Sequence, residues 1–373
     1  MLVLMVVKSG VTDDARIRRI ASAVSAVGHS VIVIGDRPGP DHPIPGVEIV
    51  YARPPRSRRS VLTSNRVRRF VRWFGLPTHR RRDDLAFATA VRAVAIPYRP
   101  DLVHAHDLSG LRAAQPFLAD DATLVYDAHE CWTGRKMAGR PSPIGRWFDS
   151  RAERRLGTAA AAVITVSEPL AEWLRTNRDF ADVRVVRNTF PATDEDAVLR
   201  PDRVLYAGLI DEKRDLRTVV DGVDSVEGVE LEIRGAGDPN TIEWLAQCGH
   251  FAQKPVAVDE LTLAYQRAGI GVVALNDDSI NHRVALPNKL FQSVQAGVPV
   301  VASSLPAIRA IVEEYGLGEC FEPGNAMSFA AALRAVVAEY DRFVAAVGEA
   351  RPQLSWDFDR EILLKLYAEL ENA

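Results

Sequence analysis

Lys289 is the residue of this chain whose type and position most clearly suggest chemistry. It stands in the run Leu286-Pro287-Asn288-Lys289-Leu290-Phe291-Gln292. Proline has a preset φ and no N–H to lose, so Pro287 favours a helix that begins here. The free backbone amides at a helix N-terminus favour an anion, and a mobile lysine beside them adds positive charge. The run predicts a phosphate site, with an ordinary helix N-terminus as the alternative.

The elements around this run are those of an α/β protein. Gly297 ends the predicted helix, and the apolar run from Val298 to Ala302 predicts a buried strand. Similar runs recur along the chain between helical segments, which is typical of parallel sheets with helices on both faces. Further strands are predicted at 2–7, 31–34, 47–51, 102–106, 124–130, 160–167, 183–186, 203–207, 229–234 and 271–275, and helices at 15–27, 85–98, 169–176, 216–223, 327–340 and 359–370. Ligands of such folds bind beyond the carboxyl ends of the strands.

One segment near the middle of the chain predicts a domain boundary. Between Asn188 and Pro201 there are few apolar residues, two prolines and several acids. Such a composition is typical of a linker. We therefore predict a first domain over 1–188, a linker over 189–201, a second domain over 202–355, and a final helical segment over 356–373 that packs back on the first domain.

Composition excludes several classes of protein. The 46 Lys and Arg nearly balance the 49 Asp and Glu, so no global field favours nucleic acid. Cys131, Cys248 and Cys320 lie far apart, which indicates a reducing compartment without a disulfide framework or a metal-binding cysteine pattern. The apolar opening Met1 to Val7 predicts a buried strand, not a signal peptide, and no apolar run has the length of a bilayer. We expect a cytoplasmic protein.

A strongly basic insertion over 53–82 stands apart from the rest of the chain. Its arginines are accompanied by no acid and are interleaved with Phe70, Trp73 and Phe74; they are Arg53, Arg56, Arg58, Arg59, Arg66, Arg68, Arg69, Arg72, Arg80, Arg81 and Arg82. Three interpretations remain open: peripheral contact with an anionic membrane surface, a grip on an anionic acceptor, and a solvated loop. No known nucleic-acid module surrounds the insertion, so nucleic acid is not expected as a partner.

Taken in order, several motifs resemble the GT-B-fold glycosyltransferases of the retaining family 4 type. They are Gly28-His29-Ser30-Val31, 101–106, Tyr126-Asp127-Ala128-His129-Glu130, 204–209, Arg234-Gly235-Ala236-Gly237, 285–308 and Ser355-Trp356-Asp357. The resemblance extends over nearly the whole chain. It implies two doubly wound Rossmann-like domains with an interdomain cleft between them.

The resemblance also implies an activity and a division of labour. A hexosyltransferase-like enzyme would move a sugar from a nucleoside-diphosphate donor to an acceptor hydroxyl, with retention and without a metal or other cofactor. Such enzymes serve polysaccharide or glycoconjugate biosynthesis. The second domain would bind the donor, and the first would bind an acceptor glycan, lipid-linked saccharide or small molecule. Expected donor-binding residues are Gly208, Lys213, Arg214, Gly235, Asn281, Asn288, Lys289, Leu290 and Gln292; expected acceptor-binding residues are Gly10, Asp14 and Arg16.

Histidines at predicted strand ends are the candidates for catalysis. His106 and His129 each end a strand, where either could hydrogen-bond the donor sugar or the acceptor. Glu130 could orient His129 or bind the acceptor. A retaining mechanism needs no strong protein base, because the leaving phosphate can itself take the proton. We expect His104 to alternate to the opposite face and to be structural, and Asp13 to be the cap of the first helix.

The chain departs from the family pattern at the donor site. The pair of glutamates spaced eight apart falls at Val284 and Gln292. Glutamine can still accept a bond from the ribose, but valine cannot contact sugar hydroxyls. Asn276, Asp277, Asp278, Asn281 and His282 are the nearby substitutes. Two alternatives follow: a GT-B relative without ordinary sugar transfer, which binds only or couples a nucleotide-activated non-sugar ring, and a nucleotide-sugar epimerase.

Overall fold

The computed structural model describes residues 1–11, 14–37, 43–53, 79–118, 121–135, 143–193, 200–211, 214–255 and 260–372, with the backbone alone for 79–82. Lys213, Asp13 and residues 54–78 of the basic insertion lie outside this range. The chain forms two compact units, one of Met1–Val186 with Ile362–Ala373 and the other of Arg187–Glu361. We call them unit 1 and unit 2.

Unit 1 contains a parallel sheet of seven strands in the order β3-β2-β1-β4-β5-β6-β7. The strands are β1 (Leu2–Val6), β2 (Ser30–Gly35), β3 (Val47–Tyr51), β4 (Leu102–His106), β5 (Thr123–Ala128), β6 (Ala162–Thr165) and β7 (Val183–Val185). Its helices are α1 (Ala15–Ala26), α2 (His79–Ala95), α3 (Asp107–Leu118), α4 (Pro143–Gly157) and α5 (Glu168–Arg178). The strand order reverses between β1 and β4, and such a switch point opens a crevice at the carboxyl ends of the strands.

Unit 2 contains a parallel sheet of six strands in the order β10-β9-β8-β11-β12-β13. The strands are β8 (Arg203–Ala207), β9 (Glu230–Arg234), β10 (Ala252–Gln253), β11 (Ile270–Val273), β12 (Val300–Ser303) and β13 (Gly318–Phe321). Its helices are α6 (Leu216–Asp224), α7 (Pro239–Gln247), α8 (Leu261–Ala268), α9 (Ile280–Val284), α10 (Asn288–Gln295), α11 (Pro306–Tyr315), α12 (Ala326–Ala338) and α13 (Tyr340–Ala350). The switch point here lies between β8 and β11.

The α/β class with two doubly wound sheets is thus the observed fold. Burial explains why the sequence forms it: Val3 to Val6 of β1 are fully buried, and α1 turns Ile17, Ile20 and Val24 inward. The last helix, α14 (Trp356–Glu371), contributes residues 356–361 to unit 2 and the remainder to unit 1. Among the described helices, none combines the length and the apolar character that a bilayer crossing requires.

Candidate active site

Two glycine loops lie together at the carboxyl ends of β8 and β9. Gly208 has a φ of +142°, which side chains rarely adopt, and its amide donates to the Arg234 carbonyl at 2.9 Å. A Cβ on Gly235 would lie 1.8 Å from the Gly208 carbonyl oxygen. The two backbones therefore meet directly, and the predicted Gly208 and Gly235 are brought to one place.

Lys289 reaches this same place from the first turn of α10. Only 7% of the residue is exposed, and Nζ lies 3.7 Å from the centroid of the Tyr206 ring without a hydrogen-bond partner among the described residues. A Cβ on Gly208 would lie 3.5 Å from Nζ, so the amine faces the open glycine turn. The expectation that this lysine is mobile was wrong, because burial against Tyr206 holds its side chain in position.

The electrostatics around Lys289 favour an anion. Burial lowers the pKa of Lys289 well below its usual value, the positive charge of Arg214 lowers it further, and Asp211 opposes them. Arg214 Nε lies 3.8 Å from Asp211 Oδ1 and is itself buried, with no hydrogen bond to any residue that the structure describes. Two cationic side chains thus share one carboxylate. An anionic ligand would add negative charge beside these two cations.

The other residues predicted to bind a donor differ in how exposed they are. Asn288 is exposed and its Oδ1 accepts a bond from Asn188 Nδ2 at 2.7 Å. Gln292, 7% exposed, lies one turn further along α10, and Asn281 lies half-buried on α9. The expectation for Leu290 was wrong, because its side chain is fully buried and its amide donates to the Pro287 carbonyl at 3.0 Å.

In unit 1, the Asp127 carboxylate at the end of β5 organises a buried charge cluster. Arg16 donates to it through Nε at 2.7 Å and Nη2 at 2.9 Å, and His106 Nδ1 lies 3.1 Å from Oδ2. All three residues are at most 3% exposed. Burial would raise the pKa of Asp127, but the Arg16 guanidinium and the His106 hydrogen bond outweigh it and hold that pKa well below the usual value.

Two of the predicted acceptor-binding residues have structural partners instead. Arg16 also donates through Nη1 to the Val186 carbonyl at 2.9 Å, so its guanidinium is bonded within the protein. The expectation that Arg16 binds the acceptor was wrong. Asp14, not Asp13, caps α1 and accepts bonds from the amides of Arg16 and Ile17. Its carboxylate nevertheless lines the cavity described below. Gly10 is buried and bridges to Arg37 through its backbone.

His104 joins the same cluster. Its ring stacks on that of His106, with centroids 4.4 Å apart and an interplanar angle of 10°. The expectation of an opposite face was wrong, since residues two apart on a strand share a face. Its Nδ1 lies 2.7 Å from the hydroxyl of Tyr367 on α14.

His104, His106 and Asp127 also bring three potential metal ligands within 4.8 Å of one another. They do not fit a divalent cation, because both oxygens of Asp127 already accept bonds from the Arg16 guanidinium. A metal ion would be placed against a fixed positive charge and would have to displace it.

Asp107 is a site residue that sequence reasoning missed. It begins α3 directly after β4 with a φ of +54°, in the left-handed region, and its Oδ2 lies 3.2 Å from His129 Nε2. Burial raises the pKa of Asp107 to about 7, although the facing histidine opposes the shift. For His129, burial would lower the pKa, but Asp107 and Asp127 raise it on balance. The sequence signal that could have identified Asp107 is its position directly after a histidine at the end of a predicted strand.

These groups surround a cavity of about 310 Å³ at the switch point of unit 1. It is lined by Val7, Lys8, Ser9, Asp14, Asp84, His106, Asp107, Ser109, His129, Trp132 and Arg135. The buried Nε2 of His106 has no hydrogen-bond partner among the described residues of unit 1. Because ionised Asp127 holds a proton on Nδ1, the His106 Nε2 is a hydrogen-bond acceptor at this cavity. Burial lowers the pKa of His106, which favours this neutral form.

Glu130 takes a different position from the one expected. Its Oε2 pairs with Arg135 Nη1, and 36% of its side chain is exposed. The histidine that it was expected to orient is held by Asp107 instead. Glu130 therefore acts on the cavity lining through Arg135, which also stacks over the Trp132 ring at 3.7 Å.

Comparisons with known proteins agree with the observed fold. A family model described as Glycosyltransferase Family 4 matches residues 15–192, and one described as Glycosyl transferases group 1 matches residues 201–339. The chain is a GT-B glycosyltransferase. The first model covers most of unit 1 and ends a few residues into unit 2, and the second covers the glycine loops and Lys289.

Several solved glycosyltransferases share the fold of this chain. Sucrose-phosphate synthase from Thermosynechococcus elongatus has a TM-score of 0.78 at 17% identity, covering 100% of this chain and 99% of that one. Anabaena HepE in complex with UDP-glucose has a TM-score of 0.70 at 14% identity, covering 99% and 100%. The lipopolysaccharide outer core galactosyltransferase WaaB has a TM-score of 0.63 at 12% identity, covering 97% of each chain. No curated protein sequence matches this glycosyltransferase.

Proposed function

We propose that this glycosyltransferase moves a sugar from a nucleoside-diphosphate donor to an acceptor hydroxyl, with retention and without a metal ion. The observation that carries the proposal is the buried Lys289 amine at the Gly208 turn, which has no hydrogen-bond partner in the part of the chain that the structure describes. Such an amine is a ready partner for a diphosphate. Related folds have been solved with UDP and with UDP-glucose bound, in Anabaena HepE.

Donor binding is assigned to unit 2. Lys289 and Arg214 would offset the charge that develops on the leaving diphosphate, and their fixed positions would lower the barrier by electrostatic preorganisation. Gln292 would accept a bond from the ribose through its amide oxygen. Asn281, on the adjacent helix α9, would contact the sugar. Lys213 remains a further predicted ligand of the phosphates.

Acceptor binding is assigned to the cavity of unit 1. His106 Nε2 would accept a hydrogen bond from an acceptor hydroxyl, and His129, whose pKa is raised, would donate one from its charged ring. The leaving phosphate takes the hydroxyl proton, so no protein base is required. Glycans, lipid-linked saccharides and small molecules all carry suitable hydroxyls; the solved S. aureus TarM complex contains Fondaparinux, alpha-GlcNAc-glycerol and UDP.

A nucleotide screen tests the donor assignment. Thermal unfolding would be followed with UDP, GDP, ADP, TDP and CDP, each with magnesium and with EDTA. We expect one nucleotide to stabilise the protein equally in both conditions, by about 2.7 kcal/mol at a hundredfold excess over Kd. Stabilisation by none of them would contradict the donor site, and stabilisation only with magnesium would contradict the metal-free mechanism.

Val284 supports a second candidate function. This residue is only 7% exposed and is apolar where the resemblance places a glutamate that contacts sugar hydroxyls. A relative that binds the nucleotide without ordinary sugar transfer, or that couples a nucleotide-activated non-sugar ring, would tolerate it. An epimerase would convert the donor in the absence of any acceptor. Product analysis of a nucleotide-sugar donor with and without acceptor separates the three. A transferase forms product only when the acceptor is present, an epimerase converts the donor without it, and the other relative leaves the donor unchanged in both cases.

A further inference from the structure

An exposed apolar patch lies at the start of helix α4. Ile144, Trp147 and Phe148 are 39%, 58% and 42% exposed, and their spacing places them on one face of the helix. The rings of Trp147 and Phe148 meet edge to face with centroids 4.9 Å apart. Single exposed hydrophobic residues are common, whereas contiguous exposed apolar residues form the kind of patch found at interaction surfaces.

Positive charge continues this patch along the same face. Arg151 and Arg155 are exposed one and two turns further on, and the Arg151 guanidinium lies over the Trp147 ring at 5.9 Å. Arg154 beside them is paired with Asp179. No other acid of the described residues pairs with this face.

The acids of α4 itself point away from it. Asp149 accepts a bond from Arg112 Nη2 at 2.5 Å. Glu153 is fully buried, accepting from Arg178 Nε at 2.6 Å and from the Tyr126 hydroxyl at 2.8 Å. The helix therefore presents aromatic rings and guanidinium groups outward while its carboxylates are neutralised within unit 1.

We infer that this face of α4 docks on the surface of an anionic lipid bilayer. Aromatic rings are suited to the boundary between headgroups and acyl chains, and arginines bind lipid phosphates while their stems cover apolar surface. The adjacent Ile144 adds apolar area to the same turn. Charge complementarity selects anionic lipid as the occupant, because the face carries cations and no free acid.

The docking face lies next to the cavity of unit 1. Arg146 on α4 donates through Nη2 to the Arg135 carbonyl at 3.4 Å, and Arg135 lines the cavity. A bilayer on this face would bring the cavity close to molecules held in the membrane. If the proposed function is correct, a lipid-linked acceptor could enter from that surface; docking itself does not depend on sugar transfer.

Vesicle co-sedimentation tests the docking face. The full chain would be mixed with vesicles of equimolar phosphatidylcholine and phosphatidylglycerol, or of phosphatidylcholine alone. We expect binding to the anionic vesicles only. Trp147→Ser with Phe148→Ser should reduce partitioning at least about tenfold, and Arg151→Gln with Arg155→Gln should reduce it by about fivefold for each charge removed.

Two controls make the result specific. Phe251→Ser removes an aromatic residue of unit 2 that is 73% exposed and should leave partitioning unchanged. Unaltered thermal unfolding of each variant shows that the fold is retained. Undiminished binding of the α4 variants would overturn the inference and attribute binding to the basic insertion over 53–82. Equal loss in the Phe251 variant, or equal binding to neutral vesicles, would overturn it as well.

Discussion

The most consequential single residue of this glycosyltransferase is Lys289, whose amine has no hydrogen-bond partner among the described residues. Lys289 is buried beside Tyr206, and the charges of Arg214 and Asp211 shift its pKa in opposite directions. A buried charge without a partner costs stability, and proteins tolerate the cost where a ligand will supply the partner. The buried position of Lys289 therefore indicates a ligand-binding site more directly than the sequence motif around it does.

Substitution of Lys289 should separate binding from stability. We expect Lys289→Met to raise the Kd for a nucleoside diphosphate about tenfold to a hundredfold, because a charge-assisted bond is lost. Without ligand, the variant should be at least as stable as the native protein near neutral pH. The pKa of Lys289 is lower in the folded protein than in the unfolded chain, so the folded state holds this proton less readily. For the native lysine, stability should rise as pH increases from the lowered pKa toward the usual value.

Titration calorimetry and thermal unfolding measure the two effects. Lys365→Met, at an exposed lysine of α14, is the matched control and should leave both unchanged. A Lys289 variant with native affinity would remove this residue from the donor site.

The Asp107 and His129 pair predicts a change in pH dependence. Asp107 raises the pKa of His129, so Asp107→Asn should lower it. If charged His129 donates a bond to the substrate, kcat/KM declines as pH rises through that pKa, and in the variant the decline should begin at lower pH. The imidazole titration of His129 by NMR and the pH profile of kcat/KM should move together. An unmoved titration would show that Asp107 does not set the state of His129.

At the level of elements, a direct backbone contact fixes the positions of the two glycine loops of unit 2. The loops after β8 and β9 touch at Gly208 and Gly235 with no room for a side chain. This contact was not visible in the separate motifs, although each motif contained the glycine. The packing of two strands thus brings together loop residues whose contact cannot be inferred from the sequence of either loop.

Gly235→Ala tests this contact. Its Cβ would lie 1.8 Å from the Gly208 carbonyl, so the loops must separate, and we expect nucleotide affinity to fall by at least about tenfold. Gly348→Ala on α13 is the control, since nothing lies within 4 Å of its Cβ position and alanine favours a helix. Native affinity in the Gly235 variant would mean that the loops adjust without loss.

Sequence patterns predicted the helices and strands better than they predicted the contacts between them. The buried strands β1, β8 and β12 follow from their apolar runs, whereas the short edge strands β10 and β13 carry too little signal to be found. Helix α2 begins at His79, six residues before the first predicted position, because arginines in its first turn hide its apolar period.

Candidate site residues could be chosen where one local motif defines them. Lys289 and His129 are such candidates, because each stands at the end of a recognisable element. Arg16 was misassigned because its partner, Asp127, is 111 positions away, and no local rule predicts which strand end an arginine will meet. Asp107 was missed although it directly follows the strand-end histidine His106, because nothing in the sequence indicates its left-handed φ.

At the scale of the whole molecule, each unit has its own sheet and core. Ligands assigned to different units should therefore protect different parts of the chain. We expect a nucleoside diphosphate to slow amide hydrogen exchange in the 208–211 and 288–292 segments of unit 2, and to leave β1, β4 and β5 of unit 1 unchanged. Mass spectrometry of exchanged peptides measures this. Protection centred on the histidine cavity would reverse the assignment of donor and acceptor sites.

The buried amine has one more consequence, which concerns the solution around the protein. As pH rises through the lowered pKa, Lys289 loses its proton in the free protein, and an arriving diphosphate would restore it. Binding would then consume protons from the buffer. The apparent enthalpy of binding should consequently vary with the ionisation enthalpy of the buffer chosen, and this variation should disappear when Lys289 is replaced by methionine.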